Sequence, residues 1–444
     1  MTMYHSAIAV LIAIMLAFGI AKKLKVSTEL SMLIGSIVGL IIHILLPKGV
    51  DPRSPLPFNE IIRHFVEGSV TYFDVCLIFL TATFFMTLFK EVGGIAYIVR
   101  HIVKTFYKHR LVCLLLLTLI MLVPGAITGS GATAVLTVGG LVGTVLVAMG
   151  VSKDRSIALV FILAAMSAAC PPINIWAMMA AAGSNMPYVG FTAPLAFLSI
   201  VGALFATFYL GRGKTELSLE ETMKKLPEAP EGWTPIRVIV PFAILLALIL
   251  GTRMFPDQFP VIGLPMIFTI CSIVSYFIFP KKVNVIQVAE TTVKNLKDLI
   301  GIMVVVGILN QILTLTGARG LLSLAVVILP IGAIFATLWL ILPVAEGVLQ
   351  YAVAPLFGVP LIMLFNMLGF DPVVSLSTWA VMLPLGDCLP PTAVVGRAAV
   401  MELSYDGDYY KGFIKTALVP MLFILGLCTV VMIYSNTFAK LFGG

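Results

Sequence analysis

The sequence predicts an all-α polytopic membrane protein made of two inverted repeats. Three observations carry that prediction. The 444-residue chain is 60% hydrophobic and only 11% charged, with a mean hydropathy of +1.09, a balance that soluble domains do not have. Its charges gather in short segments between long apolar runs. One spacing also occurs twice: Gly150 precedes Pro171-Pro172 by 21 residues, and Gly369 precedes Pro390-Pro391 by the same 21. The offset is 219 residues (150 to 369, 171 to 390), and Pro124 and Pro343 obey it too. Proline lacks the N–H and clashes with the preceding turn, so each pair breaks a helix inside an apolar stretch. In hydrocarbon a broken helix survives only where protein or a wet cavity satisfies the freed backbone. Two breaks at corresponding places in two halves point to a substrate site.

The first apolar run, about residues 5–21, has no basic segment before it and is followed by Lys22, Lys23 and Lys25. It is therefore a span rather than a signal peptide, with its basic end in the cytoplasm and the N-terminus outside. Residues 28–46 return outward, a Pro-rich loop covers 47–67, and a span at 69–89 goes in. Over 93–110, Ile95, Ile98, Val99, Ile102, Val103 and Phe106 recur at helical spacing, opposite Arg100, Lys104, Lys108 and Arg110. That pattern predicts an amphipathic helix on the cytoplasmic surface. Residues 111–152 carry no charge. One helix of that length would span about 63 Å, roughly twice the hydrocarbon thickness. A hairpin is required, with its turn at Gly129-Ser130-Gly131-Ala132-Thr133, and hydropathy leaves open whether it is re-entrant or fully crossing. A broken helix over 156–186 and a span at 190–211 complete the first repeat, residues 1–212. A charged linker, 213–236, follows in the cytoplasm.

The second repeat, 237–444, runs in the same order. Spans at 237–252, 260–279 and 298–315 come first, then an amphipathic stretch near 317–328. A hairpin over 330–369 turns near Glu346-Gly347, a broken helix covers 372–400, and a last span runs from 412 to 435. The first repeat makes five net crossings, an odd number, so the second is inverted.

Free N–H and C=O groups at a hairpin tip and a helix break can hold an anion or a sodium ion. The first candidate site joins Gly129, Ser130, Gly131 and Thr133 with Cys170, Pro171, Pro172 and Asn174. Glycine admits a close ligand, and the hydroxyls and the amide supply hard oxygens. The second joins Glu346, Gly347 and Gln350 with Asp387, Pro390, Pro391 and Thr392. An aspartate within a span is a functional hypothesis by default. Asp387 can serve as sodium ligand, as proton carrier or as partner of Arg397. Candidate sodium ligands are Ser130, Thr133, Asn174 and Asp387. Small residues such as Gly139, Gly140 and Gly143 serve helix packing, and Asp74, Asn310, Gln311 and Asn366 suit helix–helix hydrogen bonds.

The six cysteines all fall in apolar runs without CxxC spacing, and the five histidines are scattered near span ends. Neither set has a metal pattern. No nucleotide-binding motif is present, so direct ATP drive is excluded for this chain. The net charge of +7 reflects orientation signals rather than nucleic acid. Asp387 has no second mid-span aspartate and no mid-membrane histidine, which argues against an intramembrane enzyme. Inverted broken-helix repeats disfavour a channel.

Three places carry a resemblance: Gly129-Ser130-Gly131-Ala132-Thr133 with Met149-Gly150 and Pro171-Pro172-Ile173, the stretch Leu88–Ala96, and residues 384–397. These resemble the large membrane subunit of tripartite ATP-independent periplasmic (TRAP) transporters, the DctM-like family of the ion transporter superfamily. The resemblance implies an elevator-type secondary transporter of the bacterial inner membrane, with sodium at hairpin tips and helix breaks. It implies uptake of an organic acid, a C4-dicarboxylate or sugar acid, with proton coupling as a further option. It also implies a separate four-helix membrane subunit and a periplasmic substrate-binding protein. Carried over by position, ion and substrate residues are those around Ser130, Thr133, Pro171–Asn174, Gly347 and Pro390–Thr392. Asp387 and Glu346 depart from the family pattern, which usually has neutral residues at the first of these. A stand-alone symporter of the same superfamily, working without a binding protein, is the alternative.

Overall fold

The computed structural model describes residues 3–46, 57–212, 219–254, 260, 262–328 and 330–442. Residues 47–56 of the expected loop and 213–218 of the linker lie outside these, and the remainder of that loop is not a loop: Phe58–Val70 is a helix that packs on Val285–Leu315. Among the described residues there is no strand, and nine helical segments are long and apolar enough to cross a membrane.

A scaffold layer comes from the opening helices of each half. Met3–Lys23 pairs with Thr28–Leu45, and Phe73–Glu91 packs on Leu264–Ile278 and on the long helix Val285–Leu315. That helix has 31 residues, about 46 Å at 1.5 Å per residue. It starts well before the expected span at 298, and Asn284 caps it by accepting from the N–H groups of Ile286 and Gln287. At Gly68 and Gly307 two helices nearly touch: a Cβ on Gly307 would lie 2.1 Å from the Gly68 carbonyl oxygen. Small residues permit that approach.

The amphipathic helix is Gly94–Phe106, and it buries Ile95, Val99, Ile102 and Val103. Its apolar face is covered by protein, against the first hairpin and neighbouring helices, rather than by a membrane surface. Arg100 on the other face donates to the carbonyls of Met223 (3.1 Å) and Leu226 (2.9 Å) in the linker. Trp233 pins the linker's far end by donating to the Val92 carbonyl at 3.0 Å.

Each half then supplies a hairpin and a broken helix. The first hairpin has arms Arg110–Thr128 and Gly131–Ala148, the second of which includes a π-helical stretch at Val135–Gly139. Its tip is Gly129-Ser130, where Gly129 takes φ +68°, a backbone region that favours glycine. The turn lies where the sequence places it. The first broken helix is Lys153–Ala169 and Ile175–Gly183. The second hairpin has arms Ile331–Leu349 and Val353–Met367. Its tip is Gln350–Ala352, with Gln350 at φ +53°. The expected turn at Glu346-Gly347 is therefore displaced: both residues belong to the last turn of the first arm, because the helix continues beyond them to Leu349. The second broken helix is Pro372–Met382, a tight 3-10 stretch Leu383–Cys388, and Val394–Glu402.

The two halves share matched details. Gly150 and Gly369 both have positive φ, at +77° and +75°. Ser152 and Asp371, 219 residues apart, both cap the helices that follow. Both Pro-Pro bonds are cis. The hairpins and breaks are also exchanged between halves. Ile175–Gly183 packs on Val353–Met367, and Val394–Glu402 packs on Val135–Gly139. The two halves thus form one unit set against the scaffold.

Candidate functional site

Each break is stitched to the hairpin of its own half by an equivalent bond. In the first, Ile173 N donates to the Ala126 carbonyl at 3.2 Å. In the second, Thr392 N donates to the Gly347 carbonyl at 3.2 Å and its hydroxyl to the same oxygen at 2.8 Å. Ile173 and Thr392 keep the offset of 219, while Ala126 and Gly347 are two residues further apart. The acceptor in the second hairpin thereby sits about half a turn further along its first arm. Glycine 347 is needed here: a Cβ would lie 2.8 Å from that of Leu389 and 3.1 Å from the Leu389 carbonyl oxygen.

Asn174 is buried and heads the second segment of its broken helix. Its side-chain oxygen accepts from Ala177 N at 2.9 Å, and its amide nitrogen donates to the Ala169 carbonyl at 3.0 Å. One side chain therefore satisfies backbone on both sides of the break. At the hairpin tip Ser130 caps the second arm only, its hydroxyl accepting from Thr133 N at 3.3 Å. The first break is lidded by Tyr188, whose hydroxyl donates to the Pro172 carbonyl at 3.3 Å.

The second half carries charge. Glu346 is fully buried, and its Oε1 accepts from Trp176 Nε1 of the first broken helix at 2.9 Å. Its Oε2 has no partner among the described residues. Asp387 is 3% exposed and is the electrostatic neighbour of Glu346. Tyr351 of the second tip lies beside both acids and beside Ser130 of the first tip, and its ring stacks on Trp176 at 5.1 Å. Arg397 does not pair with Asp387; it turns back to donate to the Pro391 carbonyl at 3.1 Å.

A cavity of about 580 Å³ opens between this unit and the scaffold. From the unit it receives Ser130, Thr133, Gln350, Asp387, Pro391 and Thr392, all of them expected from the sequence. From the scaffold come Lys22, Lys25, Thr87, Lys90, Glu91 and Asp298. Of the other expected residues, Glu346 and Gly347 lie behind the wall. Gly129, Gly131, Pro171, Pro172, Asn174 and Pro390 shape the tips and breaks without lining this cavity. The sequence reading missed Tyr351, Trp176 and Lys90. Lys90 donates to the Leu136 carbonyl at 2.7 Å, in the π-helical stretch where the regular ladder is interrupted. Periodicity gives no signal for such a contact. For Tyr351 the only available clue was its place beside Gln350, after a turn set too early. Among the described residues no cluster of His, Cys, Asp and Glu could hold a metal by number.

The geometry can hold a small charged solute. Backbone ends, hydroxyls and an acid lie on one wall, and basic and acidic side chains on the other.

No family model matches the chain, and no curated protein matches it. Solved structures do. MtrF of Neisseria gonorrhoeae, described as illuminating a class of antimetabolite efflux pumps, matches with a TM-score of 0.63 at 15% identity, over 91% of this chain and 95% of its own. The YdaH transporter of Alcanivorax borkumensis, described as having an unusual topology, matches with a TM-score of 0.59 at 14% identity, over 91% and 98%. At this identity the likeness is one of fold. The chain has the fold of a multi-pass membrane transporter. These neighbours support that fold and not the TRAP family specifically.

Proposed function

We propose that this protein is a secondary active transporter of a small organic acid, coupled to a monovalent cation that neutralises the Glu346–Asp387 pair. The carrying observation is that pair: two neighbouring carboxylates inside the membrane unit, one on the cavity wall, with no basic side chain bonded to either among the described residues. Two such groups cannot both stay ionised away from water without a cation or a proton. Sodium is the first choice, held by Asp387 with Ser130 and Thr133 from the facing tip; a proton is the second. Lys22, Lys25, Lys90 and Arg397 at the cavity suit a carboxylate substrate. The cavity lies at the seam between scaffold and hairpin unit, which fits an elevator: Ser130, Asp387 and Thr392 travel while Lys25 and Lys90 stay. Basic residues lining the cavity support a cytoplasmic position for that end, in a bacterial inner membrane.

Near-complete overlap with two transporter chains favours the stand-alone form. The TRAP-type form adds a four-helix subunit and a periplasmic binding protein, and co-purification from the native membrane separates the two. MtrF's description as an efflux pump supports outward transport as a second reading, with the same site.

The test is uptake into proteoliposomes of a carboxylate panel, under a sodium gradient and under a proton gradient. One acid should accumulate with one of the two gradients. Asp387→Asn should lose coupled accumulation by about tenfold or more while melting as a folded protein. Accumulation in that variant equal to the native, with the same ion dependence, removes the acid pair from the mechanism.

A further inference from the structure

A second concave site lies away from the transport cavity and shares no lining residue with it. It has a volume of about 640 Å³ and sits where three helices end together. Lys153–Ala169 contributes Arg155, Thr192–Leu210 contributes Tyr209 and Leu210 at its end with Arg212 beyond it, and Tyr409–Ile433 begins with Lys411 and Lys415. Among the described residues four cations line it and no acid does.

The arginines are fixed in place. Arg155 donates to the Arg212 carbonyl at 2.9 Å and to the Tyr209 carbonyl, and Arg212 Nε donates to the Phe208 carbonyl at 3.2 Å. These bonds cap the helix end, the ordinary structural role of such residues. They leave further guanidinium N–H groups, since each arginine has five. Lys411 and Lys415 are exposed and four residues apart, a like-charge spacing that repels. Among the described residues no salt bridge joins either lysine to an acid. Asp154 accepts the Tyr405 hydroxyl, Asp406 pairs with Lys153 at 2.9 Å, and Asp408 accepts from the backbone of Tyr410 and Lys411.

What lies next to this basic rim is apolar. Phe208, Tyr209, Leu418, Val419 and Leu422 are all exposed, on helices that cross the membrane. A soluble anion needs only the rim; an amphiphile uses rim and wall together. Basic pockets between membrane helices at an interface bind acidic lipid headgroups.

We infer that the pocket of Arg155, Arg212, Lys411 and Lys415 is a binding site for an anionic phospholipid, with its phosphate on the cations and its chains along Val419 and Leu422. The lipid ties the start of the first broken helix to the start of the last span. The site is independent of the transported solute.

The experiment measures melting of the full chain in detergent with added dioleoyl-phosphatidylglycerol, with dioleoyl-phosphatidylcholine and with inorganic phosphate. Phosphatidylglycerol should raise Tm, by linkage to the folded state, and the other two should not. The double variant Lys411→Gln/Lys415→Gln should lose most of that rise. Lys411→Arg/Lys415→Arg should keep it, which separates lost charge from lost fold. An undiminished rise in the Gln variant, an equal rise with phosphatidylcholine, or a full rise with phosphate alone overturns the assignment.

Discussion

In the first repeat the helix break is closed by an asparagine: Asn174 satisfies backbone before and after it. At the equivalent place, 219 residues on, the second repeat has Ala393 with φ +46° and no side-chain cap. There the closing bonds come from Thr392 instead, both to the Gly347 carbonyl. The helices entering the two breaks differ in the same sense. Asp387 stands where the first repeat has Ala168. In the register set by the hairpin bonds, Glu346 stands where the first repeat has Gly125. One half is neutral and internally capped, and the other holds both buried acids. Equal scaffolding with unequal charge teaches that the matched elements supply geometry to both breaks, while the buried acids are concentrated in one.

The largest way to break this comparison is at the contact between hairpin and broken helix. In the first repeat Ser167 on the broken helix donates to the Leu122 carbonyl at 2.7 Å, and Gly125 makes room for it. In the second, Gly386 replaces the serine, and a Cβ there would lie 2.0 Å from the Pro343 carbonyl oxygen. That obstacle is backbone and cannot rotate away. Gly386→Ala should destabilise by about 3 kcal/mol or more, seen as a lower Tm or as aggregation in size exclusion. Gly125→Ala meets Ser167 Oγ at 2.1 Å and should do similar harm. Adding Ser167→Gly copies the second repeat's arrangement and should recover most of the loss. A Gly386→Ala protein that melts like the native would show that the two contacts are not equivalent.

A smaller effect sharpens the difference between the breaks. Asn174→Ala removes a cap and should cost about 1–2 kcal/mol. Ala393→Gly goes the other way: alanine in the left-handed region is disfavoured, and glycine there should stabilise by about 0.5–1 kcal/mol. Opposite signs in paired thermal melts are expected. The same sign for both would mean that the second break does not rest on its backbone conformation.

The sequence carried much of this. Pro171-Pro172, Pro390-Pro391, Gly150 and Gly369 are local signals, because proline and glycine constrain the backbone wherever they stand. The first tip was equally legible, since forty-two uncharged residues had to fold back and Gly129-Ser130-Gly131 was the place. The second tip was misplaced by a few residues because Glu346 looks like a surface residue, and its burial depends on Trp176, 170 positions away. Asp387 could be named but not its neighbour. The exchange of hairpins and breaks between halves, which sets Tyr351 against Ser130, is purely tertiary and leaves no periodicity in the chain. The apolar face of Gly94–Phe106 was read correctly, but an amphipathic pattern does not say whether protein or lipid covers it.

The smallest effect concerns how the two halves are joined at one face. Lys153, at the head of the first broken helix, pairs with Asp406 in the turn after the second, at 2.9 Å. Both side chains are largely exposed, so solvent and salt screen the pair. The hydrogen bond and charge of Lys153 hold the Asp406 carboxyl below its ordinary value of 3.8. A depressed carboxyl contributes its stability above the unfolded value and loses it as pH falls through the folded one. Lys153→Gln should therefore lower Tm slightly at neutral pH and low ionic strength. The difference should vanish at high salt, and also below the pH range in which Asp406 takes up its proton. Beside it, Tyr405 donates to Asp154, a second bond between the same two turns that does not depend on Asp406. If the Lys153→Gln difference persists at high salt and low pH, lysine's packing and not its charge joins the halves there. If it vanishes in both, the junction of the broken helices at this face is electrostatic and weak, as a hinge between the two halves of one unit can be.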